Sequence, residues 1–207
     1  MKTRIKSVRG MKMKFFTSDL HFGSDETIKS DMRPFKSSKQ FEKVTIKKWN
    51  KITKKDDIIY VVGDLVDCHS ENDKNCVKLL SVVKKIKAQV ILILGNNEER
   101  IIKYYFDNDL DKFKSYCLGL GFLDVKQCDT VDISGTTFYL THKPKNHKPE
   151  MLNLFGHSHK AMGLYKSFGF NIGCDLNNYQ LYSESDILHL LNKKQKYWDK
   201  DENLKLI

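Results

Sequence analysis

Ile58-Ile59-Tyr60-Val61-Val62-Gly63-Asp64 decides the fold class. Five consecutive apolar residues, four of them β-branched, run into a turn-forming Gly-Asp pair. A strand that is apolar at every position, without alternation, is one buried on both faces. Val90-Ile91-Leu92-Ile93-Leu94-Gly95-Asn96 repeats the pattern with an amide in place of the acid. Three further β-rich runs end in polar residues of the same kind. Lys14-Phe15-Phe16-Thr17-Ser18 leads into Asp19-Leu20-His21, Thr137-Phe138-Tyr139-Leu140 into Thr141-His142, and Leu152-Asn153-Leu154-Phe155 into Gly156-His157-Ser158-His159.

Between the early strands lie helical patterns. Phe41, Val44, Thr45, Trp49 and Ile52 mark one apolar face, and Val77, Leu80, Val83 and Ile86 mark a second. Strands alternating with helices predict an α/β layered fold with right-handed connections. In such folds the carboxyl ends of the strands line the ligand crevice. Five strands therefore deliver two Asp, one Asn and four His to one rim.

Carboxylate oxygen, amide oxygen and imidazole nitrogen suit divalent ions such as Mn²⁺, Fe²⁺, Co²⁺ and Zn²⁺. Seven ligands are too many for one tetrahedral ion and suit two ions that share a carboxylate, an arrangement that can clamp a phosphoryl group. Taken singly, each piece has an ordinary explanation: Asp19 as a helix cap, Gly-Asp and Gly-Asn as turns. Two imidazoles on one strand-end turn are rarely needed for packing, and the five pieces in this order point to metal.

Composition narrows the class. The 207 residues, 40% hydrophobic and 30% charged, describe one folded domain. No apolar run approaches the roughly 20 residues of a membrane span, and no apolar segment follows the basic N-terminus, so neither a membrane partner nor a secretory signal is expected. Five cysteines without a CxxC pair predict reduced thiols and a cytoplasmic protein. The net charge is +10, but six of the bases fall in the first 14 residues, so the body is only mildly basic and favours an anionic substrate over a dedicated nucleic-acid surface. The expected divisions are a basic N-terminal extension over 1–12, the domain over 13–192 and a charged tail over 193–207.

At this point the chain resembles the calcineurin-like metallophosphoesterases. Their D-x-H, G-D, G-N-H-[DE], H and G-H-x-H motifs correspond here to Asp19-Leu20-His21, Gly63-Asp64, Gly95-Asn96-Asn97-Glu98, His142 and Gly156-His157-Ser158-His159. Arg33-Pro34-Phe35, Trp49-Asn50 and Asn171-Ile172-Gly173-Cys174-Asp175 resemble, more narrowly, the small bacterial and phage branch of predicted phosphohydrolases. The resemblance implies an αββα four-layer sandwich, with two central mixed sheets flanked by helices. It implies a first ion on Asp19, His21, Asp64 and His159 and a second on Asp64, Asn96, His142 and His157, with Asp64 bridging. It implies two divalent ions, Mn²⁺ before Fe, Zn, Co or Ni, and a hydroxide between them that attacks phosphorus in line.

One departure stands out: Asn97 occupies the place of the usual motif His, and an amide cannot supply a proton to a leaving group. Small relatives lacking that His are similar in acting as phosphodiesterases, which makes phosphodiester hydrolysis the leading expectation. Phosphomonoester hydrolysis and nuclease action are the enzymatic alternatives, and a protein-binding scaffold on the same fold is the non-enzymatic one. Substrates in view are a nucleotide, a cyclic nucleotide or a nucleic-acid end, and a homodimer is compatible with the fold. Beside Asn97, two further residues are candidates near the reaction. Arg33 would clamp a distal phosphate or else pair with an acid and anchor its loop. His147, in the basic stretch 143–148, would reach the substrate or else sit in an exposed loop. His69 reads as a solvated loop residue and His189 as part of a C-terminal helix.

Overall fold

A computed structural model describes residues 12–73 and 75–198. The strands are β1 (Lys14–Thr17), β2 (Ile58–Val62), β3 (Gln89–Ile93), β4 (Asp124–Lys126), β5 (Asp129–Ile133), β6 (Thr136–Leu140), β7 (Leu152–Phe155), β8 (Tyr165–Lys166), β9 (Gly169–Asn171) and β10 (Tyr182–Ser183). The helices are α1 (Asp25–Ser30), α2 (Ser38–Ile52), α3 (Asn75–Leu79), α4 (Asn96–Tyr105), α5 (Leu110–Leu120) and α6 (Glu184–Lys193). Two five-stranded sheets form, ordered β10-β1-β2-β3-β4 and β5-β6-β7-β9-β8. The first is parallel from β1 to β4 with β10 antiparallel at its edge. The second is parallel at β6-β7-β9, flanked by antiparallel β5 and β8.

Alternate side chains of the first sheet serve two cores. Phe15, Ile59, Val61, Val90 and Leu92 pack beneath helices against Phe41, Trp49, Ile101 and Phe113. Their neighbours Phe16, Tyr60, Val62, Ile91 and Ile93 face the second sheet and meet Phe138, Leu140, Leu154 and Phe170. The continuous apolar runs follow from this, because β2 and β3 have no solvent face. On the outer face of the second sheet, Lys148 Nζ lies over the Tyr139 ring at 4.6 Å, and Phe168 packs on Phe155 at 5.2 Å.

Local signals place the helix ends. Ser37 caps α2 by accepting the Gln40 N–H, Ser183 and Asp186 form a reciprocal capping box on α6, and α5 stops at Gly121 with φ +110°. The second helical pattern departs from expectation. It forms α3 and then a 3₁₀ segment over Leu80–Lys85. Val77, Leu80, Val83 and Ile86 recur every three residues, the period of a 3₁₀ helix rather than of an α-helix. Among the described residues no helix is long and apolar enough to cross a membrane, and all five cysteines are free thiols. Residues 194–198, within the expected tail, continue α6 as a π turn. The N-terminal extension up to residue 11 and the tail from 199 lie outside the described residues.

Candidate metal centre

The predicted ligands come from two sheets and meet at one rim. Asp19 and His21 follow β1, Asp64 follows β2, Asn96 opens α4 after β3, His142 follows β6, and His157 and His159 follow β7. Two groups result. Asp19, His21 and His159 bring ligand atoms within 4.8 Å of one another, and Asp64, His142 and His157 do the same. Asp64 lies between them, its Oδ2 3.5 Å from His21 Nε2 and 3.4 Å from His142 Nε2. Asn96 Oδ1 joins the second group at 3.1 Å from His142 Nε2 and 2.8 Å from His157 Nδ1.

The backbone is bent to make this possible. Asp19, His21, Asp64, His157 and His159 all have φ between +46° and +74°, a region that non-glycine residues enter where the surroundings hold them. Two glycines let the turns approach. Gly63 has φ +84°, and a Cβ there would collide with the His142 ring. A Cβ on Gly156 would run into Ser18 Oγ and come within 2.6 Å of Asp19 Oδ2. The turns around Asp64 are joined by Glu98, the third residue of α4. Its Oε2 accepts from Gly95 N–H (2.8 Å) and Asp64 N–H (2.9 Å), and its Oε1 from Leu65 N–H (3.0 Å). Asp64 Oδ1 in turn accepts the Asn97 N–H at 2.9 Å, at the positive end of that helix.

The electrostatics are those of a cation receptor. Burial pushes the His142 imidazole down, but Asp64 beside it and Asp19 overcome this and hold it up to about 9. Burial likewise opposes the His21 proton and is overcome by Asp67, Asp64 and Asp19, so His21 is raised. Asp64 is lowered because its contacts with His142, His21 and the Asn97 N–H outweigh burial. Burial and the Asp64 charge push Glu98 up to about 7. His157 is lowered by burial and by the His142 charge. Among the predicted ligand residues, Asp19 Oδ2 and His21 Nε2 are buried without a hydrogen-bond partner. Buried polar atoms left unpaired cost about 1–3 kcal/mol each, and both residues belong to the first ligand group, where a bound ion would satisfy them. Oxygen and imidazole donors without thiolate fit a hard-to-borderline divalent ion, and the residues present fit the two ions that the motifs imply.

Two of the inward-facing rings are held from behind by groups that are not ligands. His21 Nδ1 faces Asp67 Oδ1 at 3.4 Å, and Asp67 Oδ2 lies 2.8 Å from His69 Nε2. His142 Nδ1 donates to the Val62 carbonyl at 2.9 Å, which also accepts the Ser18 hydroxyl at 2.6 Å.

Of the three residues predicted beside the ligands, Arg33 takes the second of its two expected roles, and none of the three belongs to either ligand group. The Asn97 side chain is buried, and its Oδ1 accepts the Cys68 N–H at 3.0 Å, so it ties the loop after β2 to α4. Arg33 is an anchor rather than a phosphate clamp. Its side chain is 0% exposed, and it donates to Asp19 O (2.8 Å), Leu20 O (2.7 Å) and, bidentately, to Asp175 (3.0 and 2.7 Å). His147 stacks on Phe168 at 4.2 Å, with Nδ1 2.9 Å from Pro144 O, and belongs to neither ligand group. Two lysines of the basic stretch around it are engaged as well, Lys143 with Glu99 at 2.5 Å and Lys148 with Tyr139. His69 is 54% exposed and touches the site only through Asp67, and His189 is an exposed residue of α6.

Sequence inspection overlooked Asp31 and Asp67, named Asp175 only within a family resemblance, and gave Glu98 no task. Asp67 lies three residues past Asp64 and Asp31 two before Arg33, a proximity to motif residues that is their one sequence signal. Glu98 is legible as the N3 acid of a helix that opens at a motif.

Comparison with known proteins agrees with this geometry. The family described as calcineurin-like phosphoesterase matches residues 15–200. The chain is 27% identical over 194 residues to the uncharacterized protein MJ1445 of Methanocaldococcus jannaschii, covering 88% of this chain and 93% of that one. Its fold is similar to that of AQ665, a protein of unknown function from Aquifex aeolicus, with a TM-score of 0.60 and 22% identity over 87% of this chain and 100% of the other. A more distant likeness, at a TM-score of 0.41 and 14% identity over 70% of this chain and 61% of the other, is to the nuclease MPE of Pseudomonas putida.

Proposed function

Starting from the calcineurin-like phosphoesterase family, to which the chain belongs, we propose that this metal-dependent phosphoester hydrolase works with two divalent ions, Mn²⁺ by preference, on phosphodiesters. The observation that carries the two-ion reading is Asp64, whose one carboxylate oxygen lies within 3.5 Å of a histidine from each ligand group. Asp19, His21 and His159 would hold the first ion, and Asn96, His142 and His157 the second, with Asp64 shared. When bound, such a pair supplies an activated water for in-line attack and offsets charge on the phosphoryl oxygens.

The protein's own contribution is orientation and charge. Asp67 and Val62 O take the Nδ1 protons of His21 and His142, which leaves Nε2 of each ring facing Asp64. Glu98 and the α4 N-terminus hold the Asp64 turn, so the shared carboxylate is fixed before any ion arrives. The phosphodiester preference is supported by Asn97. Position 97 carries no imidazole, and its amide oxygen is turned to Cys68, so no proton donor for a poor leaving group comes from there.

The test is hydrolysis of bis- and mono-p-nitrophenyl phosphate with and without Mn²⁺, wild type beside Asp64→Asn. Diester turnover is expected to require the metal, to exceed monoester turnover, and to fall at least about 10³-fold in kcat/KM in the variant, roughly 4 kcal/mol of transition-state stabilisation. Turnover indifferent to chelation would sink the two-ion reading, and a monoester preference would sink the diester assignment alone.

A further inference from the structure

Behind the first ligand group lies a second cluster, Asp31, His159 and Asp175, whose ligand-type atoms also fall within 4.8 Å of one another. His159 Nδ1 is 2.5 Å from Asp31 Oδ2 and 3.7 Å from Asp175 Oδ2. Such a set could suggest another cation site, but the cation is already part of the chain. Arg33 Nη2 stands 2.7 Å from Asp175 Oδ2 and 3.6 Å from Asp31 Oδ2, fully enclosed. With that charge in place, the cluster acts on His159.

We propose that Asp31 is a positioning residue for His159. Its carboxylate accepts the Nδ1–H, fixes the ring's tautomer and angle, and leaves Nε2 as the nitrogen offered to an ion held with Asp19 and His21. The inference rests on the two-ion reading above and adds to it a residue outside every family motif.

The Asp31 backbone is itself held at both its polar groups. Its N–H caps α1 by donating to Thr27 O at 3.1 Å, and its carbonyl accepts Lys160 Nζ at 2.9 Å, from the residue next to His159. Two residues on, Arg33 N–H donates to Ile28 O at 2.9 Å while its guanidinium grips Asp19 O and Leu20 O. Residues 31–33 therefore join the loop that carries Asp19 and His21 to the loop that carries His159. The His159 backbone, at φ +46°, needs such support. A carboxylate behind a metal-bound imidazole commonly governs affinity, and its loss costs about 10–100-fold.

The experiment is a titration of metal-free protein with CoCl₂, followed by calorimetry and by visible absorption. It compares wild type with Asp31→Ala, Asp31→Asn and Asp31→Glu, each also melted in urea without metal. Wild type is expected to take up two ions. Asp31→Ala should lose about 10–100-fold in affinity for one of them, keep the other unchanged, and alter the Co²⁺ absorption bands. Asp31→Asn, whose amide oxygen still accepts the Nδ1–H without the charge, should fall between, and Asp31→Glu should recover part of the loss. Should Asp31→Ala fail to fold, Asp31→Asn decides. Wild-type affinity for both ions in Asp31→Ala and Asp31→Asn would overturn the proposal. So would a loss in Asp31→Ala that only tracks lower metal-free stability while Asp31→Asn binds like wild type. A wild type that binds no Co²⁺ would instead remove the two-ion reading, and this proposal with it.

Discussion

The two halves of the proposed centre use similar donors and are supported in opposite ways. In the first, His21 and His159 each have a carboxylate behind the ring, Asp67 at 3.4 Å and Asp31 at 2.5 Å. In the second, His142 rests on the main-chain carbonyl of Val62, and His157 is exposed, with Nδ1 on Asn96. A carboxylate makes an imidazole a stronger donor to an ion, whereas a carbonyl mainly fixes its angle. The first half therefore depends on side chains outside the motifs, which substitution can tune. The second depends on strand geometry, which side-chain substitution reaches only indirectly.

The clearest way to break the comparison is to loosen what the two halves share, the turn that presents Asp64. Glu98 is buried and receives three backbone N–H groups from the turns that present Asp64 and Asn96. In Glu98→Gln an amide NH₂ must face at least one of those donors. The expected loss is about 3 kcal/mol of stability, or a fall of roughly 6–12 °C in Tm for a domain of this size. Affinity for both ions should drop with it, because Asp64 is shared, and the loss should be larger for the ion that Asn96 also holds. Urea melts of the metal-free variant check the first claim and Mn²⁺ titration the second. An unchanged midpoint would show that the Asp64 turn stands without its acid.

The same contrast explains what could be read from the chain and what could not. The seven ligands were legible because each ends a strand whose apolar continuity marks it as buried, and strand ends share a rim by topology. Asn97 looked like a substrate residue because its neighbours are motif residues, yet its amide faces Cys68, 29 residues earlier. The partner of Arg33 is Asp175, 142 residues away, and that of His159 is Asp31, at a separation of 128. Such pairs leave no periodic signal. They exist only once loops from the two sheets are brought together, so the supports of the first half lay beyond sequence inspection while those of the second, strand ends and a helix start, did not.

A smaller effect sharpens the first half. Asp67 stands behind His21 as Asp31 does behind His159, but at a longer distance and with His69 on its far side. Asp67→Ala should weaken one ion by about tenfold, the lower end of what loss of such a partner costs, and leave the other in place. Calorimetric titration with Mn²⁺ measures both constants. Equal weakening of both ions would mean that Asp67 acts through the shared Asp64, and the division into two separately supported halves would fail.

The smallest effect comes from removing a side chain that touches the backbone support of the second half. Ser18 donates its hydroxyl to the same Val62 carbonyl that receives His142 Nδ1, at 2.6 and 2.9 Å. In Ser18→Ala that carbonyl keeps the imidazole and loses only a competitor, so nothing buried is left unpaired. The change should cost about 1 kcal/mol, the net worth of an ordinary hydrogen bond, and leave the affinity of both ions unaltered. Denaturant melts and Mn²⁺ titration of the one variant give both numbers. If affinity fell while stability held, the Val62 carbonyl would have to be positioned by Ser18 rather than by β2, and the second half would rest on a side chain after all.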